Sequence, residues 1–276
     1  MPPTARARPW RALVARRRWS LAVLAAAVAV ATVVPAVVGM RAERWADEGA
    51  RHAAAALDAA QRGVRVTTSS ADDARAQQAS ASGALARVLG STVASAVVRT
   101  RLTYPLDARV ADDPAGPTRS VVLAHVADWT GRVDLVDGRM PQAGDVVEVV
   151  APAAAGIATG QRLLVGSARL PVEVVGTWRR RDPADPLWFA DSGLADGTLG
   201  DSRGAVGPLF VVDDETVDRA AEQPLVRWTV VPAAAGLTAD DLARLAEGLA
   251  AVPDALAASG AIVQGSTVEA DGGPAL

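Results

Sequence analysis

The chain has 276 residues, with 28 basic and 31 acidic side chains and a formal net charge of −3 at pH 7. All 28 basic side chains are arginine, and the sequence contains no lysine and no cysteine. The absence of lysine excludes a Walker A phosphate loop and Schiff-base chemistry. The absence of cysteine excludes disulfides, thiol nucleophiles and thiolate metal sites. The two histidines, His52 and His125, are too few for a histidine-rich metal cluster. We accordingly predict a protein that is not an enzyme, with no catalytic, cofactor-binding or metal-binding residues.

Charge is distributed unevenly along the chain. Residues 1–18 carry six arginines and no acid, and residues 19–40 carry no charged side chain. The remaining 22 arginines stand against all 31 acids, which gives residues 41–276 a charge of −9. Because basic flanks are retained on the cytoplasmic side, this pattern predicts a cytoplasmic tail over 1–18 and a transmembrane helix over 19–40. The expected location is the cell membrane, with a single pass and residues 41–276 extracytoplasmic.

The uncharged segment is long enough to span a bilayer. As a helix, residues 19–40 would measure about 33 Å, close to the hydrocarbon thickness of about 30 Å. The side chains predicted to anchor it in lipid are Trp19, Leu21, Val23, Leu24, Val28, Val30, Val33, Val34, Val37 and Val38. A cleaved signal peptide and a buried helix of a soluble domain remain open alternatives. The apolar run continues well past the possible cleavage site at residues 29–31, which favours the uncleaved anchor.

Residues 41–62 are rich in alanine and charged side chains, which predicts a helical stalk that ends at Gly63. Residues 63–276 are expected to form one extracytoplasmic domain. Further helices are predicted from the capping sequence at 70–73 to Leu89, from Asp213, and from Thr238 to residue 258. Strands are predicted over 64–68, 93–104, 119–126, 144–150, 162–165, 170–178, 206–212, 227–231 and 261–268. Strands and helices without strict alternation predict an α+β fold.

Residues 200–204 match the G-x-S-x-G pattern of a nucleophile elbow at Ser202. That motif belongs between a strand and a helix and needs a histidine further along the chain. Here both histidines precede the serine, and the flanking sequence is typical of a loop and then a strand. The segment is therefore interpreted as a glycine-rich loop.

Charged clusters elsewhere have ordinary structural interpretations as well. Acid clusters at 72–73, 112–113, 213–215 and 240–241 could bind a cation, but most of them precede a predicted helix, where acids complement the helix dipole. Arginines 179–181 could hold a phosphate or a nucleic acid. The acidic character of the surrounding chain and the lack of interleaved aromatics favour a solvated strand end. No nucleic-acid partner is expected.

Residues 137–188 contain short motifs that occur in a fixed order. A Gly-Arg-x-Pro stretch leads into Gly-Asp-Val-Val, a Val-Glu-Val-Val-Gly strand follows, and an Asp-Pro-x-Asp-Pro-x-Trp segment comes last. With the preceding span, this order resembles the first transmembrane helix and extracytoplasmic domain of FtsX/MacB-type ABC transporter permeases, in particular of actinobacterial members. The residues that carry the resemblance are Gly138, Arg139, Pro141, Gly144, Val175, Gly176, Asp182, Pro183, Asp185, Pro186 and Trp188.

The resemblance implies a domain of the MacB-like periplasmic core type, without catalytic residues. It implies a non-catalytic ABC transporter component that couples a partner ATPase to an extracytoplasmic event. Its partners would be the lipid bilayer, a separate ABC ATPase subunit and further permease helices. Because permeases continue into further membrane helices, the chain is expected to be truncated relative to them. The alternatives are a single-span binding or interaction module of the cell envelope without an ATPase and, more distantly, a secreted hydrolase that uses Ser202.

Overall fold

A computed structural model describes residues 41, 43–71, 73–90, 95–113, 115–189, 196–197, 205–233, 235 and 238–267. The chain divides into two compact units, residues 1–50 and 51–276. The predicted tail and membrane helix, with every anchor side chain from Trp19 to Val38, lie outside the described residues. Within the described residues, no helix combines the length and the apolar character that a bilayer crossing requires.

Eleven strands and seven α-helices are described. The strands are β1 Val64–Ser69, β2 Ser95–Leu102, β3 Leu106–Val110, β4 Arg119–Val126, β5 Val133–Gly138, β6 Val147–Pro152, β7 Arg162–Val165, β8 Leu170–Arg180, β9 Val206–Phe210, β10 Leu225–Pro232 and β11 Val263–Ser266. The helices are α1 (43–56), α2 Ala59–Arg62, α3 Ala74–Leu89, α4 Trp129–Arg132, α5 Asp214–Ala220, α6 Ala239–Ala250 and α7 Val252–Ala258.

All the described strands belong to one sheet, and six of them close on themselves. The order β4-β3-β7-β8-β6-β9 forms a cycle because β9 also pairs, in parallel, with β4. We call these six strands the closed sheet. The strands β2, β10, β1 and β11 continue from β4 as an open extension, and β5 pairs with β8. Closure leaves these six strands with few free backbone groups at an edge.

The predicted α+β fold of the permease type is therefore wrong. The domain is mostly β, built on a closed six-stranded sheet with extra strands. The element types were largely predicted, but β3 and β5 were missed because each has a single fully buried side chain, Ala108 and Val133 respectively. Closure depends on pairs such as Val121 with Val206, which are distant in sequence and leave no local pattern.

Two hydrophobic clusters lie within and around the closed sheet. One is aliphatic and contains Val121, Leu123, Val149 and Leu209. The other is aromatic and contains Trp129, Trp178, Trp188 and Phe210. Residues 121–124 of β4 are all buried, because Val121 and Leu123 belong to the aliphatic cluster and Val122 and Ala124 belong to the aromatic cluster. Such a continuous apolar run is typical of a strand covered on both faces.

Helices α3, α6 and α7 form a helical layer beside the open extension. Side chains of α3 and α7, such as Leu85 and Leu256, pack with Val66 of β1 and Trp228 of β10. The single helix predicted to reach residue 258 is wrong, since α6 ends and α7 begins around Ala251. Pro253 explains the break: a proline inside a continuous helix removes a hydrogen bond and clashes with the carbonyl four residues earlier.

The helix predicted over 41–62 is interrupted in a similar way. α1 ends at residue 56, and Asp58 then caps the separate helix α2. The Asp58 carboxylate accepts the Gln61 N–H at 2.8 Å, and the Gln61 side chain accepts the Asp58 N–H at 3.1 Å. This capping box starts a new helix at a point where the local sequence is otherwise uniformly helix-forming.

Candidate functional site

The resemblance residues Gly138, Arg139, Val175 and Gly176 are brought together where β5 pairs with β8. Gly138 and Gly176 are direct cross-strand partners. Gly138 has a φ of +77°, and a Cβ built on it would lie 2.2 Å from the Val175 carbonyl oxygen. A Cβ on Gly176 would lie 2.6 Å from the Arg139 carbonyl oxygen. Both positions therefore require glycine because two backbones approach each other closely.

Arg139 is held by an acid that follows it closely in the sequence. Its guanidinium forms a two-pronged pair with the Glu148 carboxylate, whose Oε2 lies 2.5 Å from Nη1. The same Oε2 accepts the Gln142 N–H at 2.9 Å. The hydrogen bond to Glu148 raises the pKa of Arg139, and the hydrogen bond from Arg139 lowers the pKa of Glu148. The pair closes the loop that contains Pro141 and Gly144, and Gly144 itself is exposed.

The Asp-Pro-x-Asp-Pro-x-Trp segment forms a turn after β8. Asp182 Oδ1 accepts the Ala184 N–H, and Asp185 Oδ1 accepts the Leu187 N–H, both at 2.8 Å. Arg132 Nη1 lies 2.5 Å from the same Asp185 oxygen. Pro183 and Pro186 lie between these turn-forming contacts. The segment therefore directs the chain back into the core rather than presenting a reactive group.

The turn places the Trp188 side chain in the aromatic cluster. The Trp188 ring is fully buried and stacks on Trp178, with ring centroids 5.5 Å apart. Trp178 in turn contacts Phe210, with ring centroids 5.1 Å apart. The Trp188 carbonyl oxygen accepts a hydrogen bond from Arg65 Nη2 at 3.0 Å, which connects the turn to β1.

Arginines 179–181 contact acids instead of forming a free cationic surface. Arg181 Nε donates to Asp134 Oδ1 at 2.9 Å, and its Nη1 donates to the Gly131 carbonyl at 2.7 Å. Arg179 lies 3.9 Å from Asp134, and Arg180 lies 3.7 Å from Asp196. These contacts fasten the end of β8 to β5 and reduce the attraction of this surface for polyanions.

Three of the four acid clusters cap helices, as predicted. Asp73 accepts N–H groups at the start of α3, Asp213 does so for α5, and Asp241 completes a capping box with Thr238 at α6. The Thr238 side chain and N–H lower the pKa of Asp241. Burial alone would raise the pKa of Asp213, but the Thr216 hydroxyl and N–H outweigh it, and the net direction is down. The carboxylates are thus occupied by backbone donors.

Ion pairs that the sequence did not indicate attach α5 to β2. Arg99 Nη1 lies 2.8 Å from Asp214 Oδ2, and the largely buried Arg101 pairs with Asp218. The partners are more than a hundred residues apart in the chain, so no spacing rule could connect them. In the described part of the chain, no group of three or more His, Asp or Glu side chains could hold a metal ion. Ser202 lies outside the described residues.

An apolar groove runs between the end of α1, α2 and α6, with a volume of about 350 Å³. Ala54 of α1 is buried at one wall and packs with Leu242 and Leu245 of α6. The remaining lining is Leu57, Gln61, Arg62, Gly63, Pro232, Ala246, Leu249 and Ala250. The spacing of the α6 leucines predicted an amphipathic helix, but the opposite wall could not be predicted, because it comes from a segment almost two hundred residues earlier.

No model of a protein family matches the sequence, and no curated protein matches it. The permease resemblance therefore stays a prediction that rests on residues 137–188 and the preceding apolar segment.

Proposed function

We propose that the chain is a membrane-anchored, non-catalytic component of the cell envelope, with residues 1–18 in the cytoplasm and residues 41–276 outside. The observation that carries this proposal is the division of charge into a +6 tail, an uncharged segment of 22 residues and a −9 remainder. A soluble protein has no reason to segregate its charges in this way, whereas membrane insertion selects for it.

The contacts of the candidate polar residues support a non-catalytic role. Glu148 holds Arg139, Asp185 holds Arg132, and Asp213 and Asp241 cap helices. A general acid or base needs an ionisable group that can exchange its proton with a substrate. These carboxylates instead stabilise turns, helix starts and strand pairs, which suits a domain that contributes a rigid surface.

Single-cysteine labelling tests the anchor and its orientation, because the chain has no native cysteine that would give background. The full chain is expressed in bacterial cells as Thr4→Cys or as Ser80→Cys; Ser80 is exposed on α3. A membrane-impermeant maleimide should label Ser80→Cys in intact cells and Thr4→Cys only after lysis. Labelling of both variants in intact cells, or of neither, would contradict the proposed orientation.

The mass of the purified chain separates the anchor from the signal-peptide alternative. An uncleaved anchor keeps Thr4→Cys in the mature chain, and the protein stays in the membrane after alkaline carbonate extraction. A cleaved chain would lack that cysteine and would be released. Replacing Arg16, Arg17 and Arg18 by glutamate should weaken or invert the orientation, since the basic flank sets it.

We further propose, more specifically, that the chain is a component of an ABC transporter and contacts a separate ATPase. The observation that favours this version is that most of the resemblance residues form one connected region, in which Gly138 contacts Gly176 and the following turn leads to Trp188. A single-span interaction module without an ATPase remains the competing proposal.

Reconstitution distinguishes these two versions. The full chain carrying Thr4→Cys is placed in nanodiscs together with the ABC ATPase and permease helices encoded beside it. A transporter component should crosslink to the ATPase through its tail and should change the rate of ATP hydrolysis at least twofold. Absence of such neighbouring genes, or an unchanged rate without crosslinking, would favour the interaction module.

A further inference from the structure

We infer that the apolar groove between α1, α2 and α6 binds a single-chain fatty-acid anion, with Arg62 holding the carboxylate. The groove volume of about 350 Å³ lies at the lower end of the range of small-ligand pockets, about 300–1,000 Å³. That space suits one acyl chain rather than a two-chain phospholipid. This binding site goes beyond the proposed function and does not depend on it.

The walls of the groove are aliphatic over most of their surface. Leu57 comes from the end of α1, and Leu245 and Leu249 come from α6. Small side chains at Ala246 and Ala250 leave room between these leucines. An acyl chain in the groove would remove apolar surface from water on both partners, and this burial favours binding.

Arg62 is the only charged side chain among the described residues that line the groove. Its Nε is buried without a hydrogen-bond partner, and among the described residues no acid forms an ion pair with its guanidinium. Asp58 lies one turn earlier, but its carboxylate accepts the Gln61 N–H as the cap of α2. A buried donor without a partner is costly, and a carboxylate would satisfy it through a charge-assisted hydrogen bond.

Buried guanidinium nitrogens without a hydrogen-bond partner also occur at Arg101 and Arg132, but each of those arginines pairs with an acid. Arg99 pairs with Asp214, Arg132 with Asp185 and Arg139 with Glu148. Among the described residues, the lining that Arg62 faces contains no aspartate or glutamate. An anion that enters the groove can supply the complementary charge, and this favours an anionic ligand over a neutral lipid.

The polar content of the lining argues against a peptide as the occupant. Apart from Arg62, Gln61 is the only described lining residue with a polar side chain, and its Oε1 already accepts the Asp58 N–H. An extended peptide would bring backbone N–H and C=O groups into this apolar space without partners. An acyl chain brings no such backbone groups into the groove.

Photo-crosslinking in the full chain tests the inference. The chain is reconstituted in phosphatidylcholine nanodiscs and irradiated with a diazirine derivative of decanoate, and the labelled peptides are identified by mass spectrometry. We expect labelling of residues 54–63 and 242–250. Unlabelled decanoate should compete, whereas decanol, which has the same chain without the carboxylate, should need at least a tenfold higher concentration.

Two variants and one matched control complete the test. Arg62→Gln should raise the half-competing decanoate concentration about tenfold, since the charge-assisted hydrogen bond to the carboxylate is lost. Ala246→Trp, at an exposed lining position, should abolish labelling by filling the groove. Arg75→Gln removes the same charge at an exposed position on α3 and should leave labelling unchanged.

Three outcomes would overturn the inference. One is decanol competing as well as decanoate, a comparison made on the unmodified chain that does not depend on whether a variant folds. Another is labelling that persists in both Arg62→Gln and Ala246→Trp. The last is an absence of label on the groove peptides at saturating probe, which would mean that protein already fills the groove.

Discussion

The arginines around the pair of strands β5 and β8 differ from the arginine of the groove beside the helical layer. Around β5 and β8, Arg132, Arg139 and Arg181 each contact an acid, and the turn after β8 buries Trp188. Beside α6, Arg62 has no acidic partner within the described residues, and the surface around it is apolar and open. In the first region, the arginines pair with acids of the same domain, and these ion pairs hold the fold together. The second leaves a charge and an apolar surface available to a ligand.

The largest expected effect is a loss of stability when the aromatic cluster of the first region is disrupted. Trp188→Ala should destabilise the domain by about 3–5 kcal/mol, because a fully buried ring stacked on Trp178 is removed and a cavity remains. Urea unfolding of the full chain, followed by circular dichroism, measures the loss. Trp45, which is 72% exposed, supplies the control, and Trp45→Ala should leave the midpoint unchanged. Equal effects of the two substitutions would contradict the assignment of the core.

A smaller effect tests the close approach of β5 and β8. Gly138→Ala should cost about 1–3 kcal/mol, because the new Cβ meets the Val175 carbonyl and the backbone has a positive φ. Gly144 belongs to the same resemblance motif, but a Cβ built there meets no atom within 4 Å. Gly144→Ala should therefore stay within about 0.5 kcal/mol of the parent chain in the same urea assay. Similar losses for both would show that the glycines do not differ in structural role.

A third prediction concerns the wall of the groove. Thr238→Ala should cost about 1 kcal/mol, because Thr238 Oγ1 accepts the Asp241 N–H at 3.2 Å and starts α6. Thr238→Ser keeps the hydroxyl and is the matched control. Because α6 supplies one wall of the groove, labelling by the decanoate probe should weaken in Thr238→Ala and persist in Thr238→Ser. Unfolding midpoints and labelling yields measure the two consequences separately.

The smallest effect is pH-dependent and belongs to the pair between Arg139 and Glu148. Arg139 lowers the pKa of Glu148, so the pair stabilises the fold above the ordinary carboxyl value of 4.5. That contribution should disappear as the pH falls through the lowered folded-state pKa, because the carboxylate is then protonated. Glu148→Gln should slightly lower the unfolding midpoint at pH 7, since half-exposed Arg139 is screened by water.

The midpoints of thermal unfolding are measured between pH 3 and pH 7 for the parent chain and for Glu148→Gln. At the acidic end of this range, the two midpoints should become equal. A constant difference across that range would mean that the charge of Glu148 contributes nothing to the fold.

Local patterns predicted much of the secondary structure because they act over a few residues. The caps at Asp73, Asp213 and Thr238 depend on side chains that reach N–H groups two or three positions away. The alternating residues of β1 and the apolar run of β4 show burial directly. By contrast, β3 and β5 carry mainly exposed or half-buried side chains, and their extended form depends on the neighbours they pair with.

The candidate site could be predicted only in part, for the same reason. The helical spacing of Leu242, Leu245 and Leu249 indicated one apolar face, but Ala54 and Arg62 reach it from the other end of the domain. The resemblance motif identified residues that contact one another, yet Gly138 and Gly176 hold backbones together and Trp188 fills the core. Sequence patterns located these residues without showing which of them were structural.

The sequence by itself determined the segregation of charge, the absence of lysine and cysteine chemistry, and most helix starts, because each depends on composition or on near neighbours. Only the tertiary structure decided that six strands close on themselves, that Arg101 pairs with Asp218, and that Arg62 forms no ion pair with any described residue. Those features arise from contacts between residues far apart in the chain, or from their absence. They depend on how the whole domain packs.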